Sequence, residues 1–216
     1  MTASEFYILI KQQFPFTPTI KQSILLQQLS EFIFSQKPHG LFVLKGYAGT
    51  GKTTIVGTVV NNLWKAKMSA VLMAPTGRAA KVISNYSGKE AFTIHKKIYF
   101  PKSEKGGGVT FVLQPNKHKN TIFIVDEASM IPDTPGDSKL FENGSLLDDL
   151  IQYVYSGHQC KLILIGFVRG IPFHNGNTAG GTDTGNPQIY VFFGNLKIFY
   201  TSGCFQLYTA FYRSPH

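Results

Sequence analysis

From Ser23 to Ser35 the apolar residues Ile24, Leu25, Leu26, Leu29, Phe32, Ile33 and Phe34 recur at three- and four-residue spacing, which predicts an amphipathic helix. Lys37-Pro38-His39-Gly40 breaks that pattern. Four short apolar runs follow, at 41–44, 70–74, 121–125 and 162–165, each bounded by turn or polar residues and without strict alternation. That is the pattern of parallel strands covered on both faces. Helical periods fit between them at 52–64, 77–86 and 145–155; Ser145 with Asp148 makes a capping box for the last, and Gly157 stops it. Strands alternating with helices predict a doubly wound α/β domain, a mostly parallel sheet with helices on both faces.

Two stretches interrupt this rhythm. Residues 99–120 carry Lys102-Ser103-Glu104-Lys105, three glycines and then a strand-like run at 109–113, which is either a small inserted β-hairpin or a solvated loop. After Gly166 the composition changes. Residues 167–216 hold four charged side chains and eleven Phe or Tyr, against 29 charged and 18 aromatic residues before them. This stretch has no convincing helical period, so no fold is assigned to it and the domain is expected to span 1–166.

Composition narrows the class. With 216 residues, 43% of them hydrophobic, the chain can build one core of ordinary size. No apolar run reaches the length of a membrane span, and the N-terminus lacks the order of a secretory signal, so a cytoplasmic protein without a membrane partner is expected. Cys160 and Cys204 are too few for a metal cluster and are read as buried thiols. A formal charge of +9 suits a polyanionic partner, because lysines set against phosphates release condensed counterions.

The chemistry is carried by Gly46-Tyr47-Ala48-Gly49-Thr50-Gly51-Lys52-Thr53, which matches the phosphate-binding P-loop and sits between an apolar strand and a helix. Gly46, Gly49 and Gly51 permit a tight loop whose amides, with those of Thr50 and Thr54, face the phosphates at the positive end of the helix. Lys52 would reach the β- and γ-phosphates of ATP, and Thr53 would offer its hydroxyl to Mg2+. Asp126 and Glu127 close the run 121–125, so both carboxylates fall at the carboxyl end of a sheet. There Asp126 would hold the magnesium ion, and Glu127 would orient and deprotonate the attacking water.

Four segments in order give a family resemblance: Gly-Tyr-Ala-Gly-Thr-Gly-Lys-Thr-Thr at 46–54, Ala-Pro-Thr-Gly-Arg-Ala-Ala at 74–80, Thr-Ile-His at 93–95 and Val-Asp-Glu-Ala-Ser-Met at 125–130. They resemble motifs I, Ia, Ib and II of the first RecA-like ATPase domain of RecD/Dda-like superfamily 1B DNA helicases. The resemblance covers residues 14–166. It implies that Gln22, after Phe16-Thr17-Pro18, reads the adenine of ATP. It also implies that Pro75, Thr76 and Arg78 line a single-stranded DNA path, that Thr93 and His95 contact the strand farther along, and that 99–120 forms a strand-separating pin with Lys102, Lys105, Lys117 and Lys119 facing nucleic acid.

One segment departs from the family. Where it continues Gly-Asp-x-x-Gln after the last strand, this chain reads Gly166-Phe167-Val168-Arg169-Gly170. Phe167 and Gly170 thus replace the polar pair that couples phosphate state to DNA movement, and the second RecA-like domain of such helicases is not found. A frameshifted or truncated reading of a longer gene is one account of the change at Gly166. An ATP-binding or DNA-binding remnant without turnover, and another kind of P-loop enzyme, stand as alternatives to a helicase motor.

Overall fold

The computed structural model describes residues 1–45, 49–103, 109–131 and 145–166, together with the backbone of three later strands at 188–192, 196–201 and 204–209. The first two helices are α1 (Ala3–Gln12) and α2 (Ile20–Phe34). Each starts at a threonine that makes both arms of a capping box, Thr2 with Glu5 and Thr19 with Gln22. Helix α1 was not predicted: its buried side is only Phe6 and Ile10, too sparse a period to read, and it packs on α2 with the Phe6 and Phe34 rings 5.5 Å apart.

The four predicted strands are β1 (Leu41–Lys45), β2 (Ser69–Ala74), β6 (Thr121–Val125) and β7 (Lys161–Ile165). Between them run α3 (Lys52–Asn62), extended by a short 3-10 turn over Leu63–Ala66, α4 (Gly77–Ser87) and α6 (Leu146–Ser156). A short strand β3 (Ala91–Thr93) and the single-turn helix α5 (Ile94–Ile98) complete the domain.

The main sheet has the order β3-β2-β6-β7-β1, every pair parallel, and then β8 (Gln188–Phe192), which runs antiparallel along the outer edge of β1. Alternate strand residues enter two cores. Phe42, Leu44, Leu72, Ile122, Ile124, Ile163 and Ile165 pack under α1, α2 and α3, while Leu41, Val43, Val71, Met73, Phe123, Val125 and Leu164 pack under α5 and α6. Each such side chain contributes about 1.5–3 kcal/mol by leaving water. Two buried faces are why the strand runs lack alternation.

Residues 99–120 fold as the hairpin alternative. Strands β4 (Tyr99–Ser103) and β5 (Val109–Leu113) pair antiparallel, with Tyr99 opposite Leu113. The base is tied down where the Tyr99 hydroxyl donates to Asp149 Oδ2 of α6 at 2.5 Å. Strand β8 carries the sheet past Gly166, where the hydrophobic pattern predicts no element, and β9 (Leu196–Thr201) pairs with β10 (Cys204–Thr209). Their apolar and aromatic composition, read above only as a change of character, is that of strands. Among the described residues no helix is long and apolar enough to cross a membrane.

Candidate functional site

All five parallel strands end on the same edge of the sheet, so the segments leaving β1, β2, β3, β6 and β7 converge there. Of the phosphate loop after β1, Gly46 to Ala48 lie outside the described residues. Its end is described. Gly51 has φ +82°, a left-handed backbone open to glycine, and a Cβ there would stand 2.7 Å from Gln22 Nε2. As the N-cap of α3 it has no side chain to satisfy the first-turn amides, an arrangement that suits a bound anion. Lys52, Thr53 and Thr54 follow in that first turn, with Thr53 exposed.

Gln22 reaches this loop from α2. Its Oε1 accepts the Thr19 N–H at 3.0 Å and its Nε2 donates to the Thr50 carbonyl at 3.4 Å. The carboxamide therefore joins a helix cap to the phosphate loop, with exposed Phe16 and Ile20 nearby in sequence.

Asp126 and Glu127 leave β6 as predicted from sequence. The Asp126 N–H donates to the Met73 carbonyl at 3.0 Å, which locks the turn onto β2. Asp126 Oδ1 accepts the Glu127 N–H at 2.9 Å, and Oδ2 accepts the Tyr86 hydroxyl at 2.5 Å. The Thr53 side chain is close enough to Tyr86 to act on its phenol. Burial first, and then the Asp126 carboxylate, push its phenol well above the ordinary range, so it stays protonated. Glu127 is exposed and takes φ +53°, a costly conformation for a residue with a side chain and one that clusters at functional sites. Sequence reasoning missed Tyr86 entirely, because it reads as one more residue at the end of a helical period.

The candidate strand-contacting residues occupy the neighbouring segments. Thr76 caps α4 by accepting the Ala79 N–H at 3.2 Å, and Thr93 caps α5 by accepting the Lys96 N–H at 3.2 Å. Pro75 is half-buried, while Arg78 and His95 are exposed, His95 with its ring 5.9 Å from that of Tyr99. Of the four insertion lysines, Lys105 lies outside the described residues. Lys117 lines a groove with Phe92, Lys96, Lys97 and Phe100, while Lys102 is exposed on β4 and Lys119 is exposed just before β6.

A model of an AAA domain matches residues 30–166. The chain belongs to that family. Within it, the relatives make this a superfamily 1 helicase-like, RecA-type ATPase domain. It is 34% identical over 110 residues to the ATP-dependent DNA helicase dda of Enterobacteria phage T4, a match covering 50% of this chain and 24% of that protein. The ATP-dependent RecD2 DNA helicase of Deinococcus radiodurans is 34% identical over 96 residues, covering 44% of this chain and 13% of the helicase. An uncharacterized protein of Acanthamoeba polyphaga mimivirus is 28% identical over 174 residues, covering 70% and 33%. The matched stretch thus spans a third or less of each of these relatives. Among solved structures, the ATPase domain of a Thermus phage large terminase aligns with TM-score 0.40 at 14% identity, over 82% of this chain and 80% of that one.

Proposed function

We propose that this AAA domain binds ATP with Mg2+, hydrolyses it, and serves as the first motor domain of an ATP-dependent DNA helicase acting on single-stranded and duplex DNA. The observation that carries the reading is that Asp126, at the end of β6, and the uncapped first turn of α3 with Thr53 in it meet around Tyr86 at one edge of the sheet. Two hard oxygen donors, the Thr53 hydroxyl and the Asp126 carboxylate, both beside Tyr86, fit a magnesium ion and its waters. Bound there, the ion would neutralise charge on the β- and γ-phosphates.

The chain's own residues do the rest. Lys52 supplies a fixed positive charge to the phosphates, and the amides of 49–54 cradle them. Glu127, exposed at the same edge, orients the attacking water and accepts its proton. Gln22 holds the adenine edge, giving up its contact with the Thr50 carbonyl for the base. Pro75, Thr76, Arg78, Thr93 and His95 contact the DNA backbone, positioning a strand without reading its sequence.

The test is ATP hydrolysis by the purified chain with and without single-stranded DNA, with Lys52→Ala as control. Turnover that rises with DNA and disappears in Lys52→Ala is the expected result. A second reading, an ATP-binding module without coupled turnover, is favoured by Phe167 and Gly170 in place of the family's Asp and Gln. Nucleotide binding with no DNA-stimulated hydrolysis would select it.

A further inference from the structure

Tyr86 belongs to none of the motifs that identify the phosphate site, yet it stands at the centre of it. It is the last residue but one of α4, and its half-buried side chain reaches out to both β6 and α3. Asp126 as a carboxylate can only accept, so the Tyr86 proton at 2.5 Å is committed to Oδ2.

That hydrogen bond matters for a metal site. A carboxylate that coordinates a cation must present its oxygens in a set plane, and a donor held on one oxygen sets that plane. Asp126 has Oδ1 held by the Glu127 N–H and Oδ2 held by Tyr86, which fixes the plane of the carboxylate and leaves each oxygen a further lone pair. We propose that Tyr86 is a positioning residue of the magnesium site, its hydroxyl holding Asp126 Oδ2 so that the carboxylate faces the ion in a fixed orientation. The inference rests on the nucleotide-site reading above and adds a residue to it.

The experiment titrates Mg2+ into the full chain with a fluorescent ATP analogue, for wild type and Tyr86→Phe, and repeats the nucleotide titration in EDTA. Groups that orient metal ligands typically change metal affinity by about 10- to 100-fold when removed. Tyr86→Phe should therefore need about tenfold more Mg2+ while its affinity in EDTA stays at the wild-type value. An unchanged or lower Mg2+ requirement overturns the positioning role. Wild-type protein that binds no nucleotide at all would instead overturn the site reading, and the role of Tyr86 with it. Should Tyr86→Phe fail to give the wild-type circular dichroism spectrum, Tyr86→His decides. Imidazole can donate to Asp126 in place of the phenol, so a wild-type Mg2+ requirement is expected, and one raised about tenfold refutes the positioning role.

Discussion

Removing the ammonium of Lys161 should unseat the helix that abuts the phosphate loop. Lys161 opens β7 but is only 8% exposed, and its Nζ donates to the carbonyls of Phe32, Ile33 and Ser35 at 2.7, 2.7 and 2.6 Å. These are carbonyls at the C-terminal end of α2, which an α-helix leaves without partners of its own. In Lys161→Met the buried Ile33 carbonyl loses its donor, at about 1–3 kcal/mol, while the Phe32 carbonyl keeps the Ser35 N–H at 3.3 Å. The ammonium's own burial penalty is relieved, so a net loss of about 1–2 kcal/mol is expected from urea unfolding at pH 7. A change under about 0.5 kcal/mol would refute the assignment of these bonds as the C-terminal anchor of α2.

The same site predicts a pH dependence. Burial pushes the Lys161 ammonium down to about 8 from its ordinary 10.5. Between those values the unfolded chain still holds a proton that the folded chain has released, so the site's contribution to stability rises with pH. The gap between wild type and Lys161→Met should be wider at pH 9.5 than at pH 7. A flat gap would mean that the three carbonyls hold the charged form as strongly as burial disfavours it.

Two further substitutions probe the edge of the sheet. Gly51→Ala forces a left-handed residue at about 1–2 kcal/mol and drives a methyl group against Gln22 Nε2, so binding of a fluorescent ATP analogue should weaken about tenfold or more; wild-type affinity would refute the loop geometry. Arg78→Ala should weaken single-stranded DNA binding about equally across sequences and lower the slope of log affinity against log salt by about one, and an unchanged slope removes Arg78 from the path.

The parts of the fold legible in the sequence are those where one physical rule acts alone. The buried strands at 41–45, 69–74, 121–125 and 161–165 appear as unbroken apolar runs because helices or cores cover both faces. The strand and helix that flank the candidate P-loop, and the place of Asp126 and Glu127 at the end of β6, are legible because such motifs set residue types at fixed positions beside a strand. Helix α1 was missed because its contact with α2 needs only a narrow stripe, and α5 because a single turn is shorter than any readable period. Strand β8 was missed because an edge position beside β1 is a matter of tertiary pairing that no local pattern announces. Tyr86 and the second role of Gln22 escaped for the same reason: each is an ordinary helix residue until another loop arrives beside it.

The loops leaving β6 and β7 constrain one another. Glu127 holds a left-handed backbone that costs about 1–2 kcal/mol for a residue with a side chain, and the short turn over Ala128–Met130 begins from it. Gly166 ends β7 at φ +113°, and a Cβ there would lie 3.3 Å from the Ala128 amide nitrogen and 3.4 Å from that of Ser129. A larger residue at 166 would push directly on the turn that carries Glu127. Glycine at 166 is thus favoured twice, by its own positive-φ backbone and by its closeness to the turn that carries Glu127. The packing at 166 bears on the turn that carries Glu127. In the proposed helicase reading, Phe167 and Gly170 would bear on coupling instead, so hydrolysis and DNA stimulation have to be measured separately in this chain.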